Sequence, residues 1–171
     1  YVGVYNYSGA TPMSSTLLSR GIGVMGSPYS IQVTPIAFSN GVATVSGLAP
    51  REAAYYSVVV PSNQPSWRVE LDTNAGDVMM LIQKGALPAS QSYGGAANTL
   101  TGGRIMQKVG DEQYLMMPDN GQTNITAGTY YIAVVSQGVN SSGSVVGTGT
   151  SSYTLSTYGS ITVTTLGVVD P

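Results

Sequence analysis

The side chains that usually carry out catalysis are scarce in this chain. It contains no histidine and no cysteine. That removes the commonest general base, every thiol nucleophile, all disulfides and the usual zinc and iron ligands. Serines are plentiful, but without histidine a nucleophilic serine needs a lysine base, and neither Lys84 nor Lys108 stands in a Ser-x-x-Lys pattern. A glycosidase-like carboxylate pair would have to come from Glu70, Asp72, Asp77, Asp111 or Glu112 meeting in space. No glycine-rich segment opens a helix to cradle a phosphate, and Thr101-Gly102-Gly103-Arg104 reads as a loop. The expectation is a protein that is not an enzyme.

Binding chemistry has more to work with. Asp72-Thr73-Asn74-Ala75-Gly76-Asp77 sets side-chain oxygens around a glycine, so Asp72, Asn74 and Asp77 are candidate calcium ligands. The order is not that of an EF-hand loop and no bidentate Glu follows. A plain hairpin turn, with Asp and Asn capping local N–H groups, is the stronger reading of the same residues. No other cofactor is expected. Twelve tyrosines are present; Tyr1, Tyr5 and Tyr7 share one face of an extended strand, and with Val2 and Val4 they form a candidate binding or assembly strand. Met79, Met80, Met106, Met116 and Met117 are expected to fill the core, and Trp67, the one tryptophan, to anchor it. Asn6, Asn124 and Asn140 each begin a glycosylation sequon, which matters only where the producing organism glycosylates exported proteins.

The elements that must position these residues read as strands. The 171 residues include 22 glycines and 9 prolines, which interrupt nearly every helical window, and the apolar residues recur at period two or in β-branched runs. Strands are predicted at 1–7, 16–24, 29–38, 42–45, 54–60, 66–72, 78–84, 105–109, 114–117, 128–136, 152–157 and 160–168. Asn40-Gly41, Asn74-Ala75-Gly76 and Asp119-Asn120-Gly121 supply the turns. The fold class is all-β, an antiparallel β-sandwich of jelly-roll or immunoglobulin-like two-sheet architecture with an N-terminal partial repeat. Trp67, Leu71, Leu81, Tyr131, Ile132 and Leu155 are expected in its core or at the core's edge.

The repeat rests on three matches in order, at a spacing of about 130 residues, a normal length for one sandwich unit. Tyr1-Val2-Gly3-Val4 pairs with Tyr131-Ile132-Ala133-Val134, Ser14-Ser15-Thr16-Leu17-Leu18-Ser19 with Ser151-Ser152-Tyr153-Thr154-Leu155-Ser156, and Ser30-Ile31-Gln32-Val33-Thr34 with Ser160-Ile161-Thr162-Val163-Thr164. Residues 1–38 then read as the closing strands of a preceding or partial unit, and 39–171 as a whole unit.

Four motifs in the central region resemble the bacterial pre-peptidase C-terminal domain, a small secreted sandwich. They are Tyr55-Tyr56-Ser57-Val58-Val59-Val60-Pro61, then Trp67-Arg68-Val69-Glu70-Leu71, then Gly76-Asp77-Val78-Met79-Met80-Leu81-Ile82-Gln83-Lys84-Gly85 followed by Pro88 and Tyr93, and last Ala127-Gly128-Thr129-Tyr130-Tyr131-Ile132-Ala133-Val134. The resemblance spans residues 47–158, about two-thirds of the chain. It implies a non-catalytic accessory module, with some relatives implicated in binding polymers or calcium. Met79 stands where the family often has a second acidic residue, which puts a carried-over metal role in doubt.

Only 8% of residues are charged, six Lys and Arg against eight Asp and Glu, for a formal net charge of −2. No basic patch exists for nucleic acid, and no run of about 18 apolar residues exists for a membrane helix. A neutral Ser/Thr/Asn-rich surface fits an extracellular or cell-surface protein, and its low self-repulsion favours association. The expected function is a non-catalytic structural module, a sandwich subunit or repeat of an extracellular fibre or surface array of a prokaryote. Its expected partners are further copies joined head to tail by strand pairing. The alternative is a substrate-binding accessory module of a secreted hydrolase, directed to polysaccharide or protein.

Overall fold

The computed structural model describes residues 4, 11–17, 31–88, 103–139 and 147–161. The chain divides into two compact units, Tyr1–Gln32 and Val33–Pro171. In the first, Val4, Met13 and Leu17 are exposed, and the described residues hold no strand. Thr16 and Leu17, expected to open a strand, are irregular. Nine of the thirty residues behind the predicted repeat, and most of the predicted strands at 1–7, 16–24 and 160–168, lie outside the described residues.

The second unit is a two-sheet β-sandwich. Its strands are β1 (Val33–Pro35), β2 (Gly41–Leu48), β3 (Ala53–Val60), β4 (Trp67–Ala75), β5 (Asp77–Lys84), β6 (Gly103–Met106), β7 (Glu112–Met116), β8 (Gly128–Gly138) and β9 (Ser151–Tyr158). One sheet has the order β1-β3-β8-β5-β6 and the other β2-β9-β4-β7. All pairings are antiparallel except that of β1 with β3. The predicted boundary at residue 38 therefore moves. Val33, Thr34 and Pro35 pair with Tyr55, Tyr56 and Ser57, the Ile36 amide donates to the Ser57 carbonyl at 2.9 Å, and Phe38 stacks on Trp67 with centroids 6.5 Å apart. Residues 33–38 belong to the complete unit.

Alternation decides which faces meet. In β4, Trp67, Val69 and Leu71 are fully buried, while Arg68, Glu70 and Asp72 point outward. Opposite them lie Tyr56, Val58 and Val60 of β3, Val78, Met80 and Ile82 of β5, and Ile132 and Val134 of β8. Burying each such side chain contributes about 1.5–3 kcal/mol. Trp67 lies among three rings, with Tyr130 at 5.3 Å and Tyr114 edge-on at 6.1 Å besides Phe38. Where the two inner faces meet, the hydroxyls of Tyr56 and Tyr153 share a buried hydrogen bond of 2.7 Å.

β5 departs from alternation, being apolar and buried without a break from Val78 to Ile82. A strand buried on both faces reads this way. Tyr55, Ala133, Leu81 and Ile105 pair in one row across β3, β8, β5 and β6 on the face away from the sandwich core. Leu81 is only 1% exposed there, and Met79 and Ala133 share its cluster. Leu81 and Met79 are buried as expected, in a second apolar cluster on the outer face and not in the cluster between the sheets. Tyr131, expected in the core or at its edge, faces the same way and is half-buried. Met80 is in the core, Met106 and Met116 pack against it, and Met117 at 49% exposed is not a core residue.

The predicted turns appear where expected. Asn40 has φ 58° and Gly121 φ 81°. Gly76 has φ 67° and turns the chain from one sheet to the other. A methyl group there would meet Ser151 Oγ at 2.7 Å and the Thr150 carbonyl at 2.9 Å, so both the conformation and the space require glycine.

Candidate functional site

Three of the five carboxylates that the sequence singled out, Asp77, Asp111 and Glu112, act as clamps at one corner of the sandwich. Asp77, at the start of β5, is 5% exposed and its carboxylate accepts the Gly110 N–H at 3.2 Å. Its backbone carbonyl accepts the Ser151 hydroxyl at 2.7 Å. Ser151 Oγ in turn accepts from Ser136 Oγ at 2.8 Å and from the Gly138 N–H at 3.2 Å. Asp111 accepts the Thr73 N–H at 2.8 Å, and Thr73 Oγ1 donates to the Gly110 carbonyl at 2.9 Å. The buried carboxylate of Glu112 accepts the Lys108 N–H. Burial pushes the Glu112 carboxyl up from its ordinary value; the Lys108 hydrogen bond opposes this, and the Asp77 charge adds to it. Together these contacts pin segment 107–111 to the β4–β5 corner.

Asp72 and Asn74, two of the three candidate calcium ligands, lie exposed at the outward end of β4, where Asn74 Nδ2 donates to Thr154 Oγ1 at 3.1 Å. Asp77 lies past the turn and is buried against Gly110. The structure thus keeps Asp72 and Asn74 on one face and commits Asp77 elsewhere. Among the described residues no three of His, Cys, Asp and Glu come together to hold a metal ion. Asn124 is half-buried with Nδ2 donating to Thr123 Oγ1 at 3.2 Å. Asn6, Asn140, Tyr1, Val2, Tyr5 and Tyr7 lie outside the described residues, while Val4 is 55% exposed.

Two surfaces emerged only with the strand order. The first is the outward face of the four-stranded sheet, where register aligns Val42, Ser156, Glu70 and Gln113 in one row and Thr44, Thr154 and Asp72 in the next. Gln113 Nε2 donates to Glu70 Oε1 at 3.0 Å, Arg68 Nε lies 3.4 Å from the same oxygen, and the Arg68 guanidinium sits 4.3 Å over the Tyr158 ring. Arg68, Glu70, Asp72 and Asn74 at alternate positions were the visible signal; their partners are remote in sequence.

The second surface is the open side of the sandwich between β6 and β7. β7 pairs with β4, and its other side is an edge that no described strand pairs. Leu115 at 47% and Met117 at 49% stand exposed along it. Beside them is a cleft of about 260 Å³ lined by Tyr114, Met116, Ile125 and Thr126 with the opposite charges of Arg104 and Asp119.

No family model and no curated protein matches the chain. Among solved structures, the pre-peptidase C-terminal domain of a collagenase from Bacillus anthracis is similar at 15% identity and TM-score 0.41, covering 74% of this chain and 94% of that domain. PliG of Aeromonas hydrophila, a periplasmic inhibitor of g-type lysozyme, is similar at 11% identity and TM-score 0.36, covering 75% and 97%. The family resemblance read from the motifs meets one of that family's structures here, at a level that does not make the chain a member.

Proposed function

We propose that the chain is a non-catalytic structural module of an exported prokaryotic protein, and that it associates with copies of itself in an extracellular or cell-surface assembly. The observation that carries this reading is that large apolar side chains stand in water in both units of a chain with few charges. Val4, Met13 and Leu17 do so in the first unit, Val109, Leu115 and Met117 in the second. Burying such side chains between copies gains hydrophobic free energy against little net-charge repulsion. The clamp roles of Asp77, Asp111 and Glu112 support the same reading, since these carboxylates hold backbone groups. The experiment is electron microscopy of the purified full chain together with its mass by light scattering. Ordered oligomers or filaments are expected, and a monomer at high concentration overturns the reading.

The outward face of the four-stranded sheet favours a second reading, a binding module for a neutral polysaccharide. Its carboxylates, amides and hydroxyls beside a Tyr–Arg pair are the groups that recognise sugar hydroxyls. Glycan-array binding lost on Glu70→Ala and Tyr158→Ala, with mass unchanged, is the outcome that selects it.

A further inference from the structure

Resting on the self-association reading, we propose that the β7 edge, which no described strand pairs, and its adjoining cleft accept residues 1–7 of a second copy of this chain as an added strand. Four edges are available among the described strands, and three are guarded. β1 is three residues long and contains Pro35, and β6 is four residues long and carries the exposed Arg104. β2 is longer, but its pairing slips between Val45 and Leu48, a bulge of the kind that twists an edge away from new partners. β7 has no proline, lysine or slipped register, and Leu115 on it and Met117 just past its end offer exposed apolar surface. An unpaired edge with a cleft beside it is the layout used in β-strand addition: main-chain hydrogen bonds supply affinity, and alternate side chains fill the cleft.

The occupant is argued from the chain itself. Residues 1–7, Tyr-Val-Gly-Val-Tyr-Asn-Tyr, have no charge and no proline, alternate in side-chain type and are rich in β-formers, which suits them to pair with an open strand. Val4 is exposed in the single chain. An uncharged donor also suits a cleft whose Arg104 and Asp119 charges are of opposite sign. Donor and acceptor are different surfaces of one chain, so each bound copy presents a new free edge and the contact propagates head to tail.

The test uses the full chain. Leu115→Lys with Met117→Lys places two charges along the edge at positions already in water. The doubly substituted chain is expected to lose at least tenfold in its tendency to assemble while its melting temperature stays within a few degrees. Val42→Lys on the β2 edge is expected to assemble as the parent does. If the parent assembles and the Leu115/Met117 variant assembles equally well, this inference falls and the self-association reading stands. A monomeric parent brings down both. The occupant is identified by Val4→Cys combined with Leu115→Cys or Met117→Cys in a chain that has no other cysteine. On oxidation an intermolecular ladder is expected from at least one pair. A cross-linked monomer would place the strand in its own chain, and a ladder only from Val4→Cys with Val42→Cys would move the acceptor to β2; either result overturns the proposal.

Discussion

At the residue scale, the Tyr56–Tyr153 pair and Glu112 are buried polar groups whose removal has signed consequences. The Tyr56–Tyr153 hydrogen bond lies among apolar side chains, and burial raises both phenols above their ordinary range. Replacing one tyrosine with phenylalanine strands the other hydroxyl and should cost about 1–3 kcal/mol. The double Phe variant should cost less than the two single changes added together, as measured by urea denaturation. Glu112 behaves differently, because its folded-state carboxyl titrates above its ordinary value. A raised value means that the folded state holds the proton more tightly than the unfolded chain. The resulting stabilisation is complete below the ordinary carboxylate range and is lost as pH rises through the raised value. Glu112→Gln keeps an acceptor for the Lys108 N–H and removes the titration. The melting temperature of this variant should therefore fall less than that of the parent between about pH 4 and pH 7, and identical pH profiles would contradict the assignment.

At the element scale, the β4–β5 corner and the start of the sandwich carry the sharpest expectations. Gly76→Ala must adopt a left-handed backbone and crowd Thr150 and Ser151, so a loss of about 2 kcal/mol or more is expected in chemical denaturation. Removing residues 1–32 should leave the melting temperature within a few degrees. Removing 1–38 should lower it clearly, because β1 and the Phe38 ring go with the longer cut; equal stability of the two truncations would place the boundary at 38 after all. These elements also show what a sequence can and cannot disclose. The alternation of Trp67, Val69 and Leu71 was visible because one strand's inner face is a property of that strand alone. The outer apolar row was hidden because Tyr55, Ala133, Leu81 and Ile105 come from four strands and become neighbours only through the order β3-β8-β5-β6. Likewise Asp72, Asn74 and Asp77 looked like one oxygen cluster in sequence. The turn at Gly76 carries Asp77 into the other sheet, which commits it to Gly110 and leaves the first two in solvent.

At the scale of the whole molecule, the proposed self-association rests on a sandwich with few charges whose β7 edge no described strand pairs, and on a first unit whose described apolar side chains are exposed. Low net charge removes the repulsion that keeps ordinary domains apart, and exposed apolar surface supplies the attraction. The measurement that tests this most directly is light scattering across a concentration series on the full chain and on the chain lacking residues 1–32, with circular dichroism on both. The account predicts that the full chain grows in mass with concentration while the shortened chain keeps its β-sheet spectrum and remains a monomer. Equal assembly by the two chains, or a full chain that stays monomeric throughout, would contradict it.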